Sequence, residues 1–134
     1  TPNTEIKRWG IMVIQSIPKG QLQTGKQLYE DLLRYKSIMD GNIFCELINV
    51  VDKNDFEVAL SQILSKLEEG DILTIHIEAH GSDDGIALFS GEIVEWKDFY
   101  DLIRPINIAL GHLLFIVMAM CSSIAMISNI NVSR

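Results

Sequence analysis

The chain has 134 residues, 48% of them apolar, with 11 basic and 18 acidic side chains and a formal charge of −7. That length suits one domain around one core. The acidic balance, with Lys7, Arg8, Lys19, Lys26, Lys36, Lys53 and Lys66 scattered rather than clustered, excludes a nucleic-acid partner held through its phosphates, because such binding needs grouped cations to release counterions. Cys45 and Cys121 each lie in or at the end of an apolar run, which suits buried thiols in a reducing cytoplasm better than a disulfide staple. The longest apolar stretch, Leu113 to Met120, is too short to cross a bilayer. No secretory leader is read, so a membrane is not an expected partner. The chain opens on Thr1, so a processed start or one further upstream is expected.

In chain order, Trp9 to Ile17 is a short apolar run closed by Pro18-Lys19-Gly20, a strand ended by turn residues. After Thr24, the positions Leu28, Leu32, Tyr35 and Met39 recur at helical spacing up to Asp40-Gly41, predicting a first helix. Ile43 to Val51 is β-branched and apolar and reads as a second strand, with Cys45 packed inside it as a small hydrophobe. Asn54 with Glu57 three residues on forms a capping-box pattern, and Phe56, Ala59, Leu60, Ile63, Leu64 and Leu67 make the broad apolar stripe of a second helix ending at Gly70.

A third strand runs from Asp71 to Gly81, followed by the loop Gly81-Ser82-Asp83-Asp84-Gly85 and a small hairpin over Ile86 to Val94. Glu95 to Ile103 is predicted to be a short helix stopped by Pro105. A last strand from Leu113 ends at Cys121. The expected architecture is α/β: a three-layer open, mainly parallel sheet with helices on both faces, a β-hairpin after the third strand, and flavodoxin-like connectivity.

His80 and Cys121 sit at the C-terminal tips of two of these strands, and in an open α/β sheet the carboxyl ends of neighbouring strands border the crevice where chemistry occurs. A thiol attacks a carbonyl as the thiolate, so it needs a base, a positive local field and donors for the oxyanion. His80 is the candidate base. Gly81, lacking a side chain, can bring its N–H to an oxyanion beside the N–H of Cys121. Ser122 and Ser123 are candidates to cap a helix starting at Ile124, whose N-terminus favours the thiolate. Ser82, Asp83 and Asp84, with Ser122 and Ser123, are placed to flank substrate.

His80-Gly81 after one strand and Cys121-Ser122-Ser123 after the next resemble the caspase-like cysteine peptidases, especially the bacterial CHAT branch, over nearly the whole chain. The resemblance implies a caspase-like fold, a His80–Cys121 dyad, oxyanion donors at Gly81 and Cys121, and hydrolysis of protein or peptide substrates through an acyl-enzyme, without metal or cofactor. Met120 before the cysteine and the absence of a glycine soon after it depart from the family's usual pattern. Because 13 residues follow Cys121 where the family continues through further strands, residues 1–134 read as the N-terminal, large-subunit-like part of one domain. The expected partners are the remaining C-terminal part or a second processed chain, and a sensor or regulatory domain. Arg134 would suit cleavage after a basic residue.

The same residues admit other readings. His76 lies four residues before His80 on the same strand face, roughly 13 Å away when extended, too far to share one metal. A Cys-x5-Arg phosphatase is excluded because the arginine position is Ile127, and no nucleotide-binding glycine motif occurs. Asp83 and Asp84 also suit a plain turn, Glu78 is expected to face a neighbouring strand or an edge, and His112 to face solvent. Trp9, Trp96 and Met118 are expected to fill core or rim space. The rival function is a catalytically silent interaction or scaffold module of the same layout.

Overall fold

The computed structural model describes residues 6–38 and 43–121, with Ser37, Ile38, Met120 and Cys121 described by backbone alone. Its elements run β1 (Arg8–Ser16), α1 (Thr24–Ile38), β2 (Ile43–Asn49), α2 (Lys53–Lys66), β3 (Asp71–Gly81), β4 (Gly85–Ala87), β5 (Ile93–Glu95), α3 (Trp96–Ala109) and β6 (Leu114–Cys121). They build an α/β domain around a mixed six-stranded open sheet. Four parallel strands lie in the order β2-β1-β3-β6, and β4 and β5 add an antiparallel hairpin at the tip of β3. Among the described residues no helix is long and apolar enough to cross a membrane.

Period-two alternation sorts β1 and β3 into two faces. One face carries Met12, Ile14, Leu73, Ile75, Ile77 and Ala79 against Phe56, Leu60 and Ile63 of α2 and Phe99 and Ile106 of α3, all essentially sealed from water. Phe56 and Phe99 meet at tilted rings 6.2 Å apart, a favoured aromatic geometry. Each of these large side chains contributes about 1.5–3 kcal/mol by burial, so this face is the core that holds the strands in register.

The opposite face is only partly covered. Helix α1 rests on β1 and β2 and reaches β3 at its first turn. Phe115 and Val117, which register places beside Thr74 and His76 on this face, stay 51% and 42% exposed. The sequence pattern anticipated helices over both faces, and both carry helices; on this one, α1 spans β1 and β2, and among the described residues Phe115 and Val117 of β6 remain exposed.

At the other end of the sheet, Arg8 and Asp71 are register partners on β1 and β3. Arg8 Nε and Nη2 donate to the two carboxylate oxygens of Asp71 at 2.8 and 2.7 Å, and the N–H of Glu68 donates to Asp71 at 2.8 Å. The guanidinium, chiefly through these hydrogen bonds, holds the buried Asp71 carboxyl below the usual carboxylate range in spite of desolvation. Arg8 also lies 4.3 Å over the Phe44 ring, which itself covers Gly10 so closely that a Cβ there would enter the ring.

Two helix boundaries differ from the sequence reading. The cap of α2 is Asp52, whose side chain accepts from the N–H of Asp55 at 2.8 Å; the Asn54/Glu57 box is not used, because the chain already turns helical at Lys53. Helix α3 runs through Pro105 to Ala109. Pro105 and Asp101 both face solvent, so water can satisfy the carbonyl that proline leaves unpaired, while the buried Ile106 and Leu110 hold the last turns on the core. The expected close of helix one at Asp40-Gly41, with Met39 before it, lies outside the described residues.

Candidate functional site

Strands β3 and β6 run parallel in a continuous register from Leu73 opposite Leu114 to His80 opposite Cys121. The two residues are therefore direct ladder partners at the same end of adjacent strands, with backbones ~4.8 Å apart. Partners in a parallel ladder occupy the same face of the pleat. The thiol itself lies outside the described side chains.

The ladder also directs the backbone donors. The N–H of Leu73 donates to the Leu113 carbonyl at 3.1 Å, so odd-numbered residues of β3, Gly81 included, aim their N–H groups at β6. On the other edge of β3, His80 and Gly81 pair with Ala87 and Ile86 of β4, and the N–H of Ser82 donates to the Gly85 carbonyl at 3.0 Å. Alternation along this antiparallel pair likewise turns the Gly81 N–H away from β4. With His80 opposite Cys121, the same pattern aims the Cys121 N–H at β3. Both donors thus point into the seam between the strand tips, where a regular ladder pairs them with the carbonyls of Cys121 and Ala79. Service to an oxyanion requires that last rung to part.

His80 is half-buried. Its Nε2 lies 2.8 Å from Oε1 of Gln21, 59 residues earlier in the segment between β1 and α1. That segment is tied down from both sides. Buried Gln15 accepts from the N–H of Lys26 at 2.9 Å and donates to Gln23 and Asn49 at 2.8 and 2.9 Å, and Gln23 donates to the Pro18 and Gln21 carbonyls at 2.9 and 3.0 Å. Thr24 donates to Glu78 at 2.8 Å, and the other oxygen of Glu78 lies 2.7 Å from Nε2 of His76. Glu78, expected at an edge or against a strand neighbour, is instead 8% exposed and joins α1 to β3. The alternation His76-x-Glu78-x-His80 could have signalled one polar strand face; nothing in the sequence marks Gln21.

The loop after Gly81 is closed by Ser82, whose Oγ accepts from the N–H groups of Asp84 and Gly85 at 3.2 and 3.1 Å and donates to the Gly85 carbonyl at 3.2 Å. Trp96 donates from its indole to the Asp83 carbonyl and from its backbone to the Asp84 carbonyl, both at 3.2 Å. Gly85 is required there, since a Cβ would collide with the backbone of Val94 and Glu95. Asp83 and Asp84 are exposed beside the His80 tip. Ser122, Ser123, the helix expected from Ile124 and the Arg134 terminus lie outside the described residues.

Cys45 is buried on β2, and desolvation pushes its thiol up, which suits packing rather than attack. It borders an apolar cavity of about 150 Å³ under α1, formed with Trp9, Ile11, Leu32, Tyr35 and Ile43, toward the N-terminal ends of β1 and β2 and away from the His80 tip. His112 faces solvent after the helix end. Trp9 is half exposed at the rim. Among the described residues no three His, Cys, Asp or Glu side chains gather as a metal site. Compared with protein-family models and with curated proteins, the chain finds no match.

Proposed function

We propose that this chain is the catalytic, N-terminal part of a caspase-like cysteine endopeptidase of the CHAT type, with His80 and Cys121 as its dyad. The observation that carries the reading is the register that makes these two residues partners at the C-terminal ends of adjacent parallel strands, the edge where open α/β sheets place their chemistry.

In this reading His80 takes the proton from the Cys121 thiol, and the thiolate attacks the scissile carbonyl carbon. The N–H groups of Gly81 and Cys121, freed as the last rung opens, receive the oxyanion. Collapse of the tetrahedral adduct breaks the C–N bond, and the leaving amine takes its proton from the imidazolium. Water then attacks the thioester, with His80 again as base, and returns the thiol. Ser82, Asp83 and Asp84 border the peptide on one side, with Ser122 and Ser123 assigned to the other. No metal or cofactor enters these steps. The protein acts in the cytoplasm on protein or peptide substrates, completed by the rest of the caspase-like domain or a second chain and governed by a sensor or regulatory domain.

The test is covalent labelling with a peptide carrying an alkylating warhead, read by peptide mapping on the chain with and without a C-terminal remainder of the domain. Cys121→Ala abolishes labelling at that position, and His80→Ala slows it by about 10²–10⁴-fold. Absence of labelling under both conditions, or labelling indifferent to His80, defeats the proposal; the first outcome favours a silent scaffold module.

A further inference from the structure

Resting on that dyad, we infer that Gln21 is the positioning residue of His80: its side-chain carbonyl accepts a hydrogen bond from Nε2–H and thereby leaves Nδ1 as the nitrogen that takes the thiol proton. A neutral imidazole carries one N–H and one acceptor nitrogen, and a partner on one of them decides the tautomer. The partner found is Oε1 of Gln21, 2.8 Å from Nε2. It approaches from the β1 side, because the segment bearing Gln21 follows β1, while β6 flanks the opposite edge of β3. The two ring nitrogens face divergent directions, so engaging Nε2 on the β1 side reserves Nδ1 for the side where the Cys121 strand ends.

A positioning group works only if it is itself held. Gln21 is exposed, and its own backbone N–H donates to the Pro18 carbonyl at 3.0 Å. Its carbonyl accepts from Gln23, which is clamped by buried Gln15, and three residues on Thr24 is tied to buried Glu78. Both anchors belong to the central strands β1 and β3, so the amide that orients the imidazole is referenced to the same strands that carry it. Glu78, engaged by His76 and Thr24, serves as an anchor of the segment.

The experiment compares Gln21→Glu, Gln21→Leu and Gln21→Asn with the unaltered full chain by two readouts. The first is the pH profile of Cys121 alkylation by iodoacetamide, followed by peptide mapping so that Cys45 does not contribute. The second is the pair of ¹⁵N shifts of the His80 ring. Q21E puts a charged acceptor on Nε2, stabilises the imidazolium beside a thiolate, and raises the alkylation rate near pH 6 by about tenfold. Q21L lowers it by a similar factor and moves the ring shifts from the Nε2–H form toward a mixture of tautomers. Q21N keeps the amide one methylene short and behaves as Q21L. Superimposable profiles and unchanged ring shifts in all three overturn the inference. Ring shifts that respond while Cys121 never alkylates leave the Gln21–His80 pairing standing and remove the peptidase reading. Alkylation at one common rate with unresponsive shifts does the reverse.

Discussion

Strands β3 and β6 are both apolar in sequence, yet Leu73, Ile75, Ile77 and Ala79 of β3 are at most 1% exposed while Phe115 and Val117 of β6 stand about half open to solvent. The difference is one of face as well as of neighbours, since Leu114, Ile116 and Met118 of β6 pack against the core while Phe115 and Val117 stand on the opposite face. β3 has β1 on one edge and β6 on the other, α2 and α3 over one face, and the start of α1 over the other. Among the described residues β6 pairs with β3 alone, and Phe115 and Val117 stay exposed. Apolar content marks a strand as fit for burial, but covering it takes a partner on each side. The His80 side of the site thus lies on a strand paired along both edges, and the Cys121 side on a strand whose partner among the described residues is β3.

The sharpest way to break this contrast is truncation on each strand. Ile77→Ala is expected to cost about 2–5 kcal/mol and Val117→Ala less than about 0.5 kcal/mol, measured by urea unfolding of the two chains side by side. Equal losses would mean that β6 is covered in solution.

Next in size is the anchor at the far end of β3. Asp71→Asn removes the charged acceptor of Arg8 and is expected to cost about 2 kcal/mol at neutral pH. Because the folded carboxyl is held below its unfolded value, its stabilisation is complete above about pH 4 and disappears as pH falls through the folded value. The stability difference between the two chains therefore shrinks on acidification. A difference that stays constant to pH 2 would show that the Arg8 pair contributes nothing through charge. The smallest effect is expected from Phe115→Lys, which leaves unfolding within about 0.5 kcal/mol while reducing self-association of the isolated chain in light scattering, since a charge protects an apolar surface beside an open strand edge. Unchanged association would locate the sticky surface elsewhere.

Much of the fold was legible because it is written locally. The apolar runs of β1 and β3, closed by turn residues, and the stripe from Phe56 to Ile63 identified their elements without any partner in view. The boundaries that escaped, Asp52 as cap and the passage through Pro105, depend on which end residues the core retains; Ile106 and Leu110 outweigh the proline's missing donor. Within the candidate site, His80, Gly81 and Cys121 were readable because each ends an apolar run. Glu78 and Gln21 were missed in role because their partners are distant in sequence.

The sequence by itself determined an α/β chain with an acidic surface, one domain's worth of core, and a histidine and a cysteine at strand ends, since composition and periodicity depend only on nearby residues. Tertiary structure alone decided that His80 and Cys121 are rung partners, that Gln21 meets the imidazole, that Glu78 is an anchor, and that Phe115 and Val117 of β6 stay exposed. Register and coverage are properties of pairing between distant segments, and a side chain's surroundings follow from which segments the shared core brings together.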